Sequence, residues 1–347
     1  MMRAREGDLI KTKNQVIFDV KGLVHPPNRL IAFPRYIPSS QGTRQGKKDW
    51  YGKIYSLNER FKFLKQNMPD LIVHDPVFDE ILCQVPVSAV VERYDPIAKL
   101  RSLRTTTGLG MLEWKVVHLL EELKETSGIS WDAIGISGSV LVGLYTEKSD
   151  IDPVIYGVEN CYKAYAALKN LLNDDASGFK QYNSEELQAL FDFRSKDTIM
   201  SFEDFARVER HKAFQGMFNG TDYFIRFVKD WNQVSEQYGN VCYKNAGYAK
   251  ITATIAEDSE ALFTPCTYSI ENVTVSMGTK LEPIREIVSF RGMFCKFPTT
   301  IDEEPTTLEA QGKVELVTDN KTAESHYRLL LGNKPTDYMV IRKPKNH

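Results

Sequence analysis

One passage in the middle of the chain constrains its fold more than any other. From Ile134 to Asp152 the sequence reads as an apolar strand, Gly138-Ser139, a short apolar helix over 140–145, a polar turn, and Asp150-Ile151-Asp152 on a second strand. A glycine at 138 lets another group approach the backbone closely. A helix beginning beside it turns free N–H groups outward, which suits an anion, and Ser139 adds a hydroxyl donor. Asp150 and Asp152 lie two apart on a strand, so both carboxylates project from one face. Such a pair suits Mg²⁺ (or Mn²⁺), which takes oxygen ligands and keeps positions for waters and substrate phosphates. A phosphate cradle beside a divalent-metal pair is equipment for phosphoryl or nucleotidyl transfer. Each half alone is commonplace: Gly-Ser is a frequent turn, and Asp-Ile-Asp a frequent solvated strand end. Their joint occurrence in one strand–turn–helix–turn–strand unit carries the reading.

Composition narrows the setting. The chain has 347 residues, enough for two or three domains at about 150 residues each. Hydrophobic residues at 42% and charged residues at 26% are ordinary for a folded protein. No apolar run is long enough for a transmembrane helix, and the opening Met1-Met2-Arg3-Ala4-Arg5 lacks the apolar stretch of a secretory signal. The 5 cysteines are scattered without a Cys-x-x-Cys pair. That pattern argues against a disulfide framework or zinc site and points to a reducing cytoplasm. The net charge of −2 predicts no polyanionic partner for the whole chain. Residues 1–48 nevertheless hold ten bases against three acids, a surplus suited to phosphate groups or to balancing an acidic surface elsewhere.

Three zones follow from the patterning. Residues 1–105 form a basic, mixed α/β N-terminal region. Its short apolar runs are punctuated by Pro26-Pro27, Pro34 and Pro38 and read as peripheral strands. Ser56 and Glu59 make a capping box for a helix carrying Phe61, Phe63, Leu64 and Met68. A linker is expected from Leu100 to Gly110, around Thr105-Thr106-Thr107-Gly108. Residues 110–240 alternate helices with short strands, an α/β (α+β) domain. Its helices carry the stripe Leu112, Val116, Leu119, Leu120 and Leu123, a second set of Ala164, Leu168, Leu171 and Leu172, and a cap at Ser201. Residues 241–347 read as a β-rich, barrel-like module. There Phe290, Phe294, Phe297 and Tyr327 interleave with Arg291, Lys296 and Arg328, a mix that suits base stacking or any half-buried strand. The six histidines show no metal-ligand spacing, and no P-loop is present.

The central passage resembles the signature of the DNA polymerase β-type nucleotidyltransferase superfamily: a small or apolar residue, Gly-Ser, about ten residues, then Asp-apolar-Asp. Gly138, Ser139, Asp150 and Asp152 match it residue by residue, with Ser137 more polar than the usual pattern and Pro153 where a ladder donor usually stands. The opening from Val16 to Pro27 and the later Lys53-Ile54-Tyr55-Ser56-Leu57 also look like archaeal predicted nucleotidyltransferases of unassigned substrate. The resemblance implies a third carboxylate on a later strand of the same sheet. Asp222, an acid opening the apolar strand Tyr223 to Val228, is the choice over Asp192, Asp197 and Asp204. It would be a further metal ligand, or the general base for the attacking hydroxyl. Arg226 falls on the face of Asp222, where an ion pair or a phosphate contact is expected. The expectation is a cytoplasmic, Mg-dependent (or Mn-dependent) nucleotidyltransferase without a membrane span. An NTP would be held at Gly138 and Ser139, and Asp150, Asp152 and Asp222 would be catalytic. The acceptor is open among RNA ends, a protein hydroxyl and a small-molecule alcohol. The alternative is a non-catalytic nucleic-acid- or protein-binding module on the same fold.

Overall fold

In the computed structural model, residues 2–342 are described apart from Asp197, Thr279, Lys280, Glu282, Thr299, Asp302 and Glu303. The N-terminal runs build an eight-stranded sheet from β1 (Leu9–Thr12), β2 (Ile17–Val20), β3 (Arg29–Pro38), β4 (Arg44–Gln45), β5 (Trp50–Lys53), β6 (Ile72–Asp75), β7 (Glu80–Pro86) and β8 (Val90–Tyr94). Its main path runs β4-β5-β3-β2-β1-β8, with β7 on β3 and β6 on β7. The expectation of peripheral strands is therefore corrected, because β3 pairs with β2, β5 and β7 and is the centre of the sheet. Pro34 fits there because the register slips: Ile17 faces Tyr36 and Phe18 faces Pro34, which leaves Arg35 as the extra residue of a bulge. A bulge is one of the few places where a sheet tolerates a residue with no N–H to donate. Between β5 and β6 runs α1 (Leu57–Asn67), with both bonds of the Ser56–Glu59 capping box present. It buries Arg60 and Leu64, and Phe61 meets Phe33 edge-on at 5.8 Å.

After β8 come α2 (Pro96–Thr105) and α3 (Met111–Ser127). The linker expected from Leu100 to Gly110 is corrected to 106–110, because Asp95 caps a helix that runs through Thr105 and buries Leu100 and Leu103. The stripe Leu112, Val116, Leu119, Leu120 and Leu123 is the buried face of α3. A three-stranded sheet follows in the order β14-β10-β9: β9 is Ile134–Ile136, β10 is Pro153–Tyr156 and β14 is Arg226–Val228. Between β9 and β10 the helix α4 spans only Gly138–Leu141. This is shorter than the expected 140–145 stretch, because the chain turns at Gly143 with φ 68°. α5 (Val158–Leu172) packs against α3 and buries Cys161, Ala164, Tyr165, Ala167, Leu168 and Leu171. A small antiparallel sheet joins β11 (Phe179–Lys180), β12 (Gln215–Phe218) and β13 (Thr221–Phe224).

The chain divides into two compact units that interleave in sequence. The first comprises residues 1–75, 80–181 and 213–238, and the second residues 76–79, 182–212 and 239–347. The second unit holds α6 (Ser184–Arg194), α7 (Phe202–Glu209) and a β-rich C-terminal sheet. Its strands are β15 (Val241–Glu257), β16 (Cys266–Gly278), β17 (Ile284–Ser289), β20 (Thr307–Asp319), β21 (Ser325–Leu331) and β22 (Tyr338–Ile341), with the two-residue pair β18 (Thr300–Ile301) and β19 (Glu304–Pro305) apart from it. The order is β15-β16-β17-β21-β20-β22, and β15 pairs with β20 as well. The chain is thus a mixed α/β protein with a β-rich C-terminal sheet. Among the described residues no helix is long and apolar enough to cross a membrane.

Candidate active site

β9 and β10 run antiparallel, so the turn that leaves β9 comes back beside the start of β10. Ser137 N donates to Asp152 O at 2.8 Å, which seats the next residue directly on the Asp152 side chain. Gly138 has φ +62°, and a Cβ built on it would stand 1.8 Å from Asp152 Oδ2. Only a residue with no side chain permits that approach, and the left-handed backbone favours glycine independently. Ser137, the polar departure from the resembled pattern, donates its hydroxyl to Gly7 O at 2.6 Å and ties the motif to the N-terminal segment. Ser139 is 1% exposed, and its hydroxyl has no hydrogen-bond partner among the described residues.

The loop from α4 to Asp150 is fixed from the N-terminal sheet. Arg44 Nη1 donates to Leu144 O at 2.6 Å and to Ser149 Oγ at 3.3 Å, and Thr146 N donates to Ser149 Oγ at 2.9 Å. Leu141 and Leu144 pack in one cluster with Leu9, Ile17, Tyr36 and Tyr51 of that sheet. Arg44, counted in sequence only as part of a basic surplus, therefore holds the approach to the carboxylates.

Ile151 bridges Tyr223 in parallel: its N donates to Asp222 O at 2.9 Å, and Phe224 N donates to Ile151 O at 3.0 Å. The ladder resumes at Val154 opposite Arg226 in the same register. The gap falls at Pro153, which has no N–H to give. Strand alternation then puts Asp150, Asp152, Asp222 and Arg226 on one face, opposite that of Ile151 and Tyr223. Asp152 is half-buried. Burial first, and the Asp150 carboxylate second, raise its pKa, while Lys53, Arg226 and Arg35 oppose the rise. Both aspartates also oppose ionisation of Tyr36, which burial already disfavours.

Asp222 is exposed at the edge of this face. Among the described residues no three His, Cys, Asp or Glu side chains gather closely enough to hold a metal ion, so Asp222 is not drawn in beside the other two. The rivals Asp192 and Asp204 lie in the second unit. There Asp192 accepts from Gln188, and Asp204 accepts from the hydroxyl of Ser201, whose oxygen caps α7. Asp197 is outside the described residues.

Groups outside the motif also surround the carboxylates. Asp19 pairs with Lys21 at 2.8 Å, and Glu6, 1% exposed, sits 3.4 Å from Arg226 and 3.3 Å from Lys21. Burial alone would raise Asp19; Lys21, Arg226, Arg60 and Arg35 together outweigh it and hold the carboxyl well below its usual range. Arg226 is thus clamped between Glu6, Asp19 and Asp152. Asp19 carries the signal that singled out Asp222, an acid in an otherwise apolar strand, and could have been found by it.

The donor set suits a hard divalent cation. Burial first and the Asp150 charge second disfavour the ionised Asp152, and a cation between the two carboxylates would offset both. Asp150 and Asp152 would hold it, and the orphaned Ser139 hydroxyl marks a polar position that a ligand oxygen could satisfy.

No protein-family model matches the chain, and no solved structure matches it. It is similar to an uncharacterized protein of Methanocaldococcus jannaschii, 29% identical over 353 residues, covering 99% of this chain and 100% of that protein.

Proposed function

We propose that the first unit is a nucleotidyltransferase domain of the DNA polymerase β type, moving an NMP from an NTP to an acceptor hydroxyl. The observation that carries this is the contact of Gly138 with Asp152. The two halves of the motif, each commonplace alone, meet in space, and the Asp152 carboxylate fills the place that a side chain at 138 would take. The turn at 138–139 would cradle the β- and γ-phosphates, with the Ser139 hydroxyl donating. Asp150 and Asp152 would hold Mg²⁺ (or Mn²⁺), which supplies charge neutralisation on the phosphates. The acceptor oxygen bonds to the α-phosphorus, the bridging P–O bond to the β-phosphate breaks, and pyrophosphate leaves with the electron pair. The acceptor's proton passes to a carboxylate, for which Asp222, on the same strand face and open to solvent, is the candidate. Arg226, held by Glu6 and Asp19, keeps a positive charge under Asp152. The pairing of β20 back onto β15 supports a barrel-like reading of the C-terminal sheet, and the cytoplasm remains the proposed compartment.

The exposed position of Asp222 favours a second reading, in which the fold binds a nucleotide without turnover. One experiment separates the two. NTP with Mg²⁺ should raise the melting temperature of wild type by mass action, and Asp152→Asn should abolish the shift while the apo protein still folds. Asp222→Asn should keep the shift and lose pyrophosphate release by about 10²-fold or more, the contribution of a positioned base. Equal turnover in wild type and Asp222→Asn removes Asp222 from the chemistry. Wild-type binding without turnover across RNA, protein and metabolite acceptors favours the binding module.

A further inference from the structure

The second unit holds a pair of thiols that the proposed transfer does not use. Cys266 opens β16 and Tyr268 follows two residues on, so both side chains project from one face of that strand. The segment that follows β17 crosses this face. Tyr268 Oη donates to Phe294 O at 2.5 Å and accepts from Phe297 N at 2.9 Å, and Lys296 N donates to Ala261 O at 2.8 Å. These bonds grip the chain on both sides of Cys295 and set it against the start of β16. Cys295 Sγ donates to Phe263 O at 3.3 Å, and Cys266 Sγ donates to Ser289 O at 3.4 Å. The two thiols also lie at hydrogen-bonding distance of each other. Cys266 is fully buried, and Cys295 is 4% exposed.

Cys83 and Cys161 show the ordinary use of a buried cysteine, as a small apolar side chain. Each is fully buried, and burial rather than a second thiol raises its pKa. At Cys266 burial is again the first cause, but the Cys295 thiol is the second, and Lys212 opposes both. Lys212 is buried, pairs with Glu209, and donates to Met293 O at 2.5 Å, two residues before Cys295. A fixed cation beside a thiol favours the thiolate, the form in which sulfur reacts.

We propose that Cys266 and Cys295 are a redox-responsive dithiol, which a hydroperoxide closes into a disulfide. In the resting protein both are thiols. Phe290 to Met293 are at least partly exposed, so a local opening of the 290–297 segment uncovers Cys295. Its thiolate attacks the terminal peroxide oxygen, the O–O bond breaks, and an alcohol leaves Cys295 as a sulfenic acid. The Cys266 thiolate then attacks that sulfur, the S–O bond breaks, water leaves and the S–S bond forms. Two thiols lose two electrons and two protons in all, and one hydroperoxide becomes an alcohol and one water. Exchange with a small dithiol restores the two thiols. The bond pins the 294–297 segment to β16 and closes the chain between 266 and 295, which restricts the unfolded state. Nothing in this depends on the nucleotidyl-transfer reading.

The test treats the reduced full chain with one equivalent of tert-butyl hydroperoxide, alkylates it in denaturant with N-ethylmaleimide, and maps the peptides by mass spectrometry. Wild type should lose two of its 5 alkylatable cysteines and yield one peptide pair joined through Cys266 and Cys295, which dithiothreitol separates. The melting temperature should rise by about 5 °C on oxidation and return on reduction. Cys266→Ser should leave Cys295 as a sulfenic acid that dimedone labels, and Cys161→Ala should form the bond as wild type does. All cysteines still alkylatable in treated wild type, with the bond forming only in denaturant, would reduce the pair to core packing and overturn the proposal. A disulfide through other cysteines instead overturns it as well, and so does a Cys266–Cys295 bond that lowers the melting temperature. The wild-type map decides the matter even if a variant fails to fold.

Discussion

Gly138 and Asp152 show how a single position acquires two independent constraints. The backbone at 138 is left-handed, which costs an L-residue roughly 1–2 kcal/mol, and the space where a Cβ would go is filled by the Asp152 carboxylate. Gly138→Ala is therefore expected to destabilise the protein by about 2–4 kcal/mol, strain and clash together. The two parts separate in a double-mutant cycle. In an Asp152→Ala background the carboxylate clash is gone, and the backbone strain and a 3.0 Å approach to the residue-152 Cβ remain, so the cost of Gly138→Ala should fall, giving a coupling of about 0.5–3 kcal/mol. Denaturant titration of the four proteins measures it, and additive effects would mean that the carboxylate yields freely. At this scale the sequence was partly legible. Spacing pointed to Gly138, Ser139, Asp150 and Asp152 together. What it could not show is why the glycine is needed, because that depends on a contact across a long loop. The clamp of Glu6, Asp19 and Arg226 was illegible for a similar reason: its members come from distant segments and pair only once the N-terminal sheet packs on the motif.

Among elements, helices were read best. A stripe such as Leu112, Val116, Leu119, Leu120 and Leu123 has a period that only a helix satisfies, and α3 buries those residues. The capping box at Ser56 likewise marks the start of α1 from local chemistry alone. The N-terminal strands misled because proline is a local signal whose consequence is decided by register. The slip at Ile17/Phe18 absorbs Pro34 and leaves β3 central. The turn into β3 also carries a pH-dependent bond pair. His25 Nε2 donates to Ala4 O at 2.9 Å, and Ile31 N donates to His25 Nδ1 at 3.2 Å, so the neutral ring is the form that fits. Burial lowers this imidazole to about 4. The unfolded chain, with histidine near 6.5, binds the extra proton first. Stability from His25 is therefore complete above about pH 6.5 and is lost as pH falls through that value toward 4. The loss is at most about 3.4 kcal/mol, at 1.36 kcal/mol per pKa unit. His25→Gln should flatten the fall in unfolding free energy between pH 7.5 and pH 4.5 relative to wild type. An unchanged slope would place the titration elsewhere.

For the whole molecule, the interleaving of the two units matters more than the boundary near residue 240. The C-terminal sheet shares its unit with α6 and α7, which precede it in sequence across the strands β12 to β14 of the other unit. The dependence is physical. Lys212 is fully buried, donating to Glu209 Oε1 at 2.6 Å and to Met293 O at 2.5 Å, and Glu209 also pairs with Arg194 at 2.9 Å. Phe205 and Val208 of α7 line one small apolar cavity with Phe294, Phe297 and Met339 of the C-terminal segment. Thr198 Oγ1 adds a bond to Asp337 O at 2.7 Å. A fragment of residues 239–347 would expose Phe294, Phe297 and Met339 to water and leave Met293 O without its charged donor. Losing that apolar cover costs about 25 cal/mol for each Å² uncovered, against a typical domain stability of roughly 5–15 kcal/mol. The fragment is therefore expected to show no cooperative thermal transition, or to aggregate. Supplying residues 182–212 as a second, co-expressed fragment should restore solubility and a sharp transition, because the contacts of α6 and α7 are then present without the intervening strands. Co-purification followed by calorimetry checks this. A cooperative transition in the 239–347 fragment alone would show that the sheet closes its own core and that α6 and α7 merely rest on it.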